Sequence, residues 1–227
     1  MPTVLITGAN KGLGLEFARQ YAAQGWQVIA TCPMLEMADA LRALPGRVRI
    51  EKLDVTLGDD IAALAHTLAD TAIDLLLLNA GVHLQKDRPL EQLDPQTWLE
   101  ELQVNVVAPI MVARQFAPMV ARSSQKRIIA MSSSLGSLAM NQAGGNLSYR
   151  STKSALNSAL RTLSVELRAD GITVTPIAPG ITRTDMGGPQ APFTVEDSAL
   201  RVRGVIDQLT LEHSGRFFSR DASELPW

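Results

Sequence analysis

Three short stretches of this chain carry residues whose types and spacing could do chemistry. In Tyr149-Arg150-Ser151-Thr152-Lys153 a phenol and an ammonium stand four positions apart, on one helix face and a turn from each other. A cation so placed favours phenolate and lowers a tyrosine pKa from its reference of about 10. Such a tyrosine can pass a proton to a developing alkoxide near neutral pH. In Met131-Ser132-Ser133-Ser134-Leu135-Gly136, hydroxyls end an apolar run and could hydrogen-bond a substrate oxygen. Thr7-Gly8-Ala9-Asn10-Lys11-Gly12-Leu13-Gly14 also follows an apolar run, with glycines at 8, 12 and 14. That is not the common G-x-G-x-x-G spacing, but it serves the same physics. Glycines permit a tight turn and let backbone approach a pyrophosphate, and the next helix aims its first N–H groups at that anion. Each stretch also has a plain structural reading: a surface Tyr and Lys, serines capping a strand end, a turn with no ligand. Capping suits Ser132 and Ser134 better than Ser133.

These residues need elements to hold them. Val4–Thr7, Gln27–Thr31, Val48–Leu53, Asp74–Leu78, Arg127–Met131, Ile172–Ile177 and Gly215–Phe218 read as strands. Several are apolar throughout, as in a parallel sheet covered on both faces. Helical period marks Leu13–Gln24, Asp59–Asp70, Gln96–Ala121, Tyr149–Ala169 and Val195–Leu211. In the fourth of these, Leu156, Leu160, Leu163 and Leu167 make one apolar stripe that predicts packing on the sheet. The alternation predicts one α/β domain over 1–227: a Rossmann-type doubly wound, mostly parallel seven-stranded sheet with helices on both faces. The glycine turn then follows the first strand and the serines the fifth. Open α/β sheets bind ligands beyond those carboxyl ends. Gly187–Pro192 reads as a mobile surface loop.

Composition narrows the functions. The 227 residues are 46% apolar and 19% charged, enough for a sizeable core. Lys plus Arg total 21 against 23 Asp plus Glu, a net charge of −2. That argues against a nucleic-acid partner and against a polybasic membrane contact. Cys32 is the only cysteine, so no internal disulfide forms, which fits a reducing cytoplasm. Apolar runs are short for a bilayer, and Pro2–Ile6 has no basic stretch before it, so neither a membrane span nor a secretory signal is expected. His66, His83 and His213 lack metal-ligand spacing, and no metal is expected. No G-x-S-x-G nucleophile elbow is present.

In order and register the motifs resemble the short-chain dehydrogenase/reductase family. T-G-x-x-x-G-x-G stands at 7–14, and Leu78-Asn79-Ala80-Gly81 where the family has N-N-A-G. Asn105 lies in Val104-Asn105-Val106, and Pro179-Gly180 precedes Thr184. Met131–Gly136, Gly144-Gly145, Tyr149–Leu156, Thr184–Gly188 and Leu225-Pro226-Trp227 look most like the C-factor and sniffer-type carbonyl reductase branch. The resemblance implies an oxidoreductase that interconverts a carbonyl and an alcohol by hydride transfer to or from a nicotinamide dinucleotide. It implies Ser133 holding the substrate oxygen, Tyr149 as general acid in reduction and base in oxidation, and Lys153 on the nicotinamide ribose. Asn105 would support a water link from Lys153. Gly8, Gly12 and Gly14 would cradle the pyrophosphate, and Asn10, Lys11 and Leu13 would also bind the cofactor. Asp54 would contact the adenine, Asn79 and Gly81 would lie along the adenosine ribose and Thr184 would meet the carboxamide, with Val55, Ala80, Pro179, Gly180 and Thr182 among the cofactor-binding residues. A homodimer or homotetramer paired through the helices at Gln96–Ala121 and Tyr149–Ala169 is implied too. For Asp54 a loop cap, and for Asn105 a helix bend, are the structural alternatives.

The chain departs from the pattern in places. Ser133 and Tyr149 are 16 positions apart, a few more than usual, and Gln142–Asn146 is read as a glycine-containing bulge that holds the excess. Ser134 is an alternative to Ser133. An NAD site usually has Asp or Glu ending the second strand to grip the ribose 2′-OH. Here the stretch is Thr31-Cys32-Pro33-Met34, with no carboxylate to repel a 2′-phosphate. Lys11 could pair with that phosphate. Relatives tend to carry Arg where Pro33 stands. NADP(H) is therefore predicted over NAD(H). Met186–Val195 is short where relatives often carry a lid, which predicts an open pocket. Two other functions stay open: a cofactor-binding signalling protein of the C-factor type with little turnover, and a cofactor-free interaction module.

Overall fold

Strand residues point alternately to opposite faces, and the computed structural model, which describes residues 1–227, buries both faces. In β1 (Thr3–Ile6), Val4 and Ile6 enter one core and Leu5 the other. In β5 (Arg127–Met131), Ile129 and Met131 join the first core and Ile128 and Ala130 the second. Burial on both faces is why these strands are apolar at every position.

The other strands are β2 (Gln27–Cys32), β3 (Val48–Lys52), β4 (Leu75–Leu78), β6 (Thr173–Ala178) and β7 (Phe218–Ser219). They form one seven-stranded sheet in the order β3-β2-β1-β4-β5-β6-β7, and every pairing is parallel. β3 closes one edge and shows charge at Arg49, Glu51 and Lys52, which discourages further pairing. β7 closes the other with two residues, fewer than the predicted run.

Helices α1 (Gly12–Ala23) and α7 (Val195–Gln208) cover one face, with Phe17, Tyr21, Val202 and Ile206 in the first core. A four-residue α2 (Asp39–Arg42) adds Leu41 there and was not anticipated from periodicity. On the other face lie α3 (Gly58–Thr67), α5 (Ala108–Ala121) and α6 (Leu147–Glu166). They bring Ile61, Leu64, Phe116, Val120 and the predicted stripe Leu156, Leu160 and Leu163 into the second core. Truncating a residue such as Leu160 to Ala would cost about 2–5 kcal/mol.

The single helix predicted at Gln96–Ala121 is divided. α4 (Pro95–Leu102) runs into a π-helical turn at Gln103–Val107 before α5 begins. The cause is local. Pro109 has no N–H for the carbonyl of Asn105, four residues back, so the α-ladder fails there. Pro95–Ala121 is long and apolar enough to cross a membrane by length and composition. Its apolar residues Val112, Ala113, Phe116 and Val120 are taken up by the second core.

Strand order reverses at β1, which has β2 on one side and β4 on the other. A crevice opens beyond the carboxyl ends of these strands, where α/β sheets bind dinucleotides. The segments leaving β1 and β4 are Thr7–Gly14 and Asn79–Gly81.

Candidate active site

The glycine turn uses its glycines in two ways. Gly8 and Gly12 have φ of +63° and +55°, the left-handed region. Gly14 is a packing glycine: a Cβ there would lie 2.2 Å from the Gly8 carbonyl oxygen and 2.6 Å from Asn79 Nδ2. The Asn79 amide donates to the carbonyls of Thr7 and Gly8, both at 3.0 Å. Thr7 Oγ1 accepts from the N–H groups of Asn79 (3.0 Å) and Ala80 (3.1 Å). Asn79 therefore holds the turn in shape through both of its amide N–H groups. No side chain caps α1 and its first turn has no acid. Its leading N–H groups are left for an anion.

At the other end of the crevice, α6 carries Tyr149 and Lys153, both buried. Its N-terminus is preceded by Gly144, Gly145 and Asn146, all at positive φ. This is the glycine bulge predicted for the excess residues. Arg150 fastens it, donating from Nε to the carbonyls of Gly144 (3.2 Å) and Gly145 (3.0 Å). Lys153 Nζ donates to the Met131 carbonyl at 3.0 Å and lies 5.6 Å from the Tyr149 ring centroid. Asn105, in the π-turn, is fully buried. Its Oδ1 accepts from Val82 N–H at 2.9 Å and its Nδ2 donates to the Val82 carbonyl at 2.8 Å and to Thr152 Oγ1 at 3.1 Å. A Cβ on Gly81 would sit 3.2 Å from Asn105 Oδ1 and 3.6 Å from Lys153 Nζ. The missing side chain lets these two groups come close to the backbone at Gly81. A nicotinamide dinucleotide fits this donor set: an uncapped helix end and left-handed glycines at one end, an ammonium and a glycine floor at the other.

Ser133 opens the 3-10 turn Ser134–Gly136 and accepts from Leu135 N–H at 3.2 Å. Ser132 is engaged elsewhere, donating to Asn157 Oδ1 at 2.6 Å in the interior, and Ser134 faces solvent. Asp54 makes an Asx turn, accepting from Thr56 N–H (2.9 Å) and Oγ1 (2.6 Å), so its structural alternative describes one of its oxygens. Val55 and Ala80 line a small void with Thr7 and Leu78. Asn10 is half-buried in the turn, and Leu13 packs against the first core. Gly180, after Pro179, is held close under Phe193 and Arg220. Thr182 is buried and pairs with Ser198 Oγ at 2.9 Å. Thr184 accepts from Gly187 N–H at 3.2 Å, and its methyl faces Gly12.

Two expectations are corrected. The phenol of Tyr149 is pushed above its ordinary value, first by burial and then by the charge of Glu101. Lys153 does not counter this, because its ammonium is turned to the Met131 carbonyl, and burial brings its own pKa down to about 8. The short segment after Thr184 does not leave the pocket open. Lys11 Nζ pairs with Asp185 Oδ2 at 2.9 Å, Lys86 Nζ donates to the Met186 carbonyl at 3.2 Å, and Met186 Sδ lies 3.9 Å from the Tyr149 hydroxyl. The segment thus arches from the glycine turn to the phenol. Arg183 Nε, bonded to the Ala191 carbonyl at 2.8 Å, ties down the loop that follows.

Sequence reasoning missed His83 and Glu101. The His83 ring is stacked on Tyr149, centroids 4.2 Å apart and planes 21° from parallel. Glu101 on α4 is fully buried, and its Oε1 accepts from Leu84 N–H (2.5 Å) and Gln85 N–H (3.1 Å). With Glu100 before it and Gln103 after it, nothing in the sequence separates it from an exposed helical glutamate.

A crevice at the strand reversal, a glycine turn beneath an uncapped helix and a Tyr-x-x-x-Lys helix define a dinucleotide-dependent oxidoreductase fold. The chain belongs to the short chain dehydrogenase family, whose profile matches residues 2–193. It is 36% identical to C-signal of Myxococcus xanthus over 165 residues, covering 73% of this chain and 99% of that one. It superposes on the carbonyl reductase Sniffer of D. melanogaster with a TM-score of 0.92, at 33% identity and covering 100% of both chains. It superposes on NADPH-bound carbonyl reductase from chicken fatty liver with a TM-score of 0.92, at 30% identity and covering 100% of this chain and 99% of that chain.

Proposed function

We propose that residues 1–227 act as one domain that reduces a ketone or aldehyde to an alcohol, reversibly, with NADP(H). The dinucleotide supplies or accepts the hydride when bound. Ser133 Oγ holds the substrate oxygen, and Tyr149 donates a proton to it in reduction and takes it back in oxidation. Lys153 holds the nicotinamide ribose, and Asn105 fixes the floor beside it. The observation that carries this reading is Gly81, where any side chain would meet both Asn105 Oδ1 and Lys153 Nζ beside Tyr149. A phenol held neutral by burial is in the form a proton donor needs.

NADP(H) over NAD(H) is supported by the carboxylate-free end of β2, where Cys32 is buried, and by cations on both sides. Lys11 lies in the turn, and Arg42, paired with Asp39 at 2.7 Å, donates to the Leu35 carbonyl at 2.7 Å in the segment that follows β2. The NADPH-bound carbonyl reductase from chicken fatty liver supports it as well. Cytoplasmic location and a homodimer or homotetramer are part of this reading, with no nucleic-acid or membrane partner. The likeness to C-signal, together with Met186 lying on the Tyr149 hydroxyl, favours a second reading as a cofactor-binding signalling protein with little turnover. A panel of aldehydes and ketones with NADPH and NADH, followed by loss of reduced-cofactor absorbance, separates the two. Turnover with NADPH, and a fall of about 10²–10⁴ in kcat for Tyr149→Phe with cofactor affinity retained, is the expected result. A Tyr149→Phe enzyme of undiminished kcat would overturn the proton-donor role.

A further inference from the structure

Behind the site lies a set of polar groups that the reading above does not use. Glu101 is fully buried, and its Oε2 has no hydrogen-bond partner. His83 Nε2 and Gln85 Nε2 are also buried and unpartnered. Buried polar atoms left so are uncommon and call for a reason. The three are linked by one loop. Glu101 Oε1 takes the N–H groups of Leu84 and Gln85, so the carboxylate on α4 fixes the loop that carries His83. The same loop is fixed from the α6 side, where Asn146 Oδ1 accepts from Asp87 N–H at 2.8 Å. His83 in turn lies flat on the Tyr149 ring.

We propose that Glu101 is a positioning residue for the reaction, setting the His83 ring on Tyr149 through the loop it fixes and keeping that phenol protonated until it reacts. The physical cause is twofold. A stacked ring fixes the plane of the phenol and so the direction of its hydroxyl. A negative charge in the same buried region opposes formation of a second one. The charged and titratable groups around the phenol are few. Lys153 comes from α6, Glu101 from α4, and His83, Lys86 and Asp87 from the loop after β4. The arching segment brings Met186, whose thioether is neutral, and Asp185, whose carboxylate is paired with Lys11 at the surface. His83 is itself disposed to be neutral by burial, so it does not cancel the Glu101 charge.

The inference rests on Tyr149 acting as acid and base, and its test keeps the two apart. Glu101→Gln keeps a side-chain oxygen that can accept from the N–H groups of Leu84 and Gln85 but removes the charge. The pH profiles of kcat for reduction and oxidation should both shift to lower pH by about half a unit or more, with KM changed less than about twofold. Tyrosinate absorbance provides a direct readout, because the chain has two tyrosines and Tyr149→Phe leaves Tyr21 as the background. The Tyr149 transition should move down with the kinetic limb. His83→Phe keeps a stacked ring and should hold kcat within about threefold, whereas His83→Ala should lose about tenfold with cofactor affinity unchanged. A lowered Tm with both profiles unmoved in Glu101→Gln would make Glu101 structural only and overturn the proposal. If Glu101→Gln does not fold, a His83→Ala enzyme of unchanged kcat overturns it. Loss of activity in Tyr149→Phe alongside either result leaves the parent reading standing.

Discussion

Lys153 reaches past Tyr149 and donates to the Met131 carbonyl at 3.0 Å, so two side chains one helical turn apart serve different parts of the site. The ammonium is almost wholly removed from water, and that burial takes its pKa from 10.5 to about 8. Charging it therefore costs folding free energy at neutral pH.

Replacing this lysine by a neutral residue of similar length tests that cost. Lys153→Met should abolish turnover yet raise the stability of the cofactor-free protein by on the order of 2 kcal/mol at pH 7, roughly 5 °C in Tm. The sign follows from proton binding. The folded-state pKa of Lys153 lies below the unfolded value, so between about 8 and 10.5 the unfolded chain binds more protons and wild-type stability rises with pH. The advantage of the variant should therefore be full below pH 8 and fade as pH approaches 10.5. Denaturant unfolding of both proteins across that range checks it. A variant less stable than wild type at pH 7 contradicts the burial argument.

Glycines with different surroundings should respond in opposite directions. A methyl on Gly14 would meet the Gly8 carbonyl oxygen at 2.2 Å, so Gly14→Ala must part α1 from the turn. A loss above about 2 kcal/mol and of cofactor binding is expected. Gly204 sits inside α7, where an added Cβ meets nothing within 4 Å. Gly204→Ala should stabilise by about 0.5–1 kcal/mol with activity unchanged. Thermal unfolding of the two variants reads both effects.

The Lys11–Asp185 pair joins the glycine turn to the arching segment, with both side chains largely exposed at 67% and 83%. A pair so exposed contributes little to stability, and its effect should fall on the cofactor. Asp185→Asn frees Lys11 and removes a negative charge near the crevice. NADPH should bind about two- to fivefold tighter at low salt, the gain shrinking as salt is raised, while Tm stays within about 1 °C. Lys11→Ala should weaken NADPH by a similar factor and NADH less. Fluorescence titration of cofactor at two ionic strengths measures this. Equal effects of Lys11→Ala on the two cofactors would remove Lys11 from phosphate recognition.

Spacing alone determined much of this protein. Seven short strands, five helical segments, the glycine turn and the Tyr-x-x-x-Lys face were readable because each depends on neighbours within a turn or a strand, where periodicity and glycine chemistry act. The π-turn at Asn105 was less legible, since the effect of Pro109 on the residue four before it competes with an otherwise unbroken helical period. What lay beyond sequence was which groups would share a space. Lys11 and Asp185 are 174 positions apart, and Tyr149 and Met186 are 37 apart. Glu101, His83 and Tyr149 come from three separate segments. Only closure of the sheet and its crossovers brings them together, and only the burial that follows decides whether a phenol beside a lysine turns more acidic or less. Here it is less, because loss of water raises the phenol while the ammonium is aimed at a backbone carbonyl.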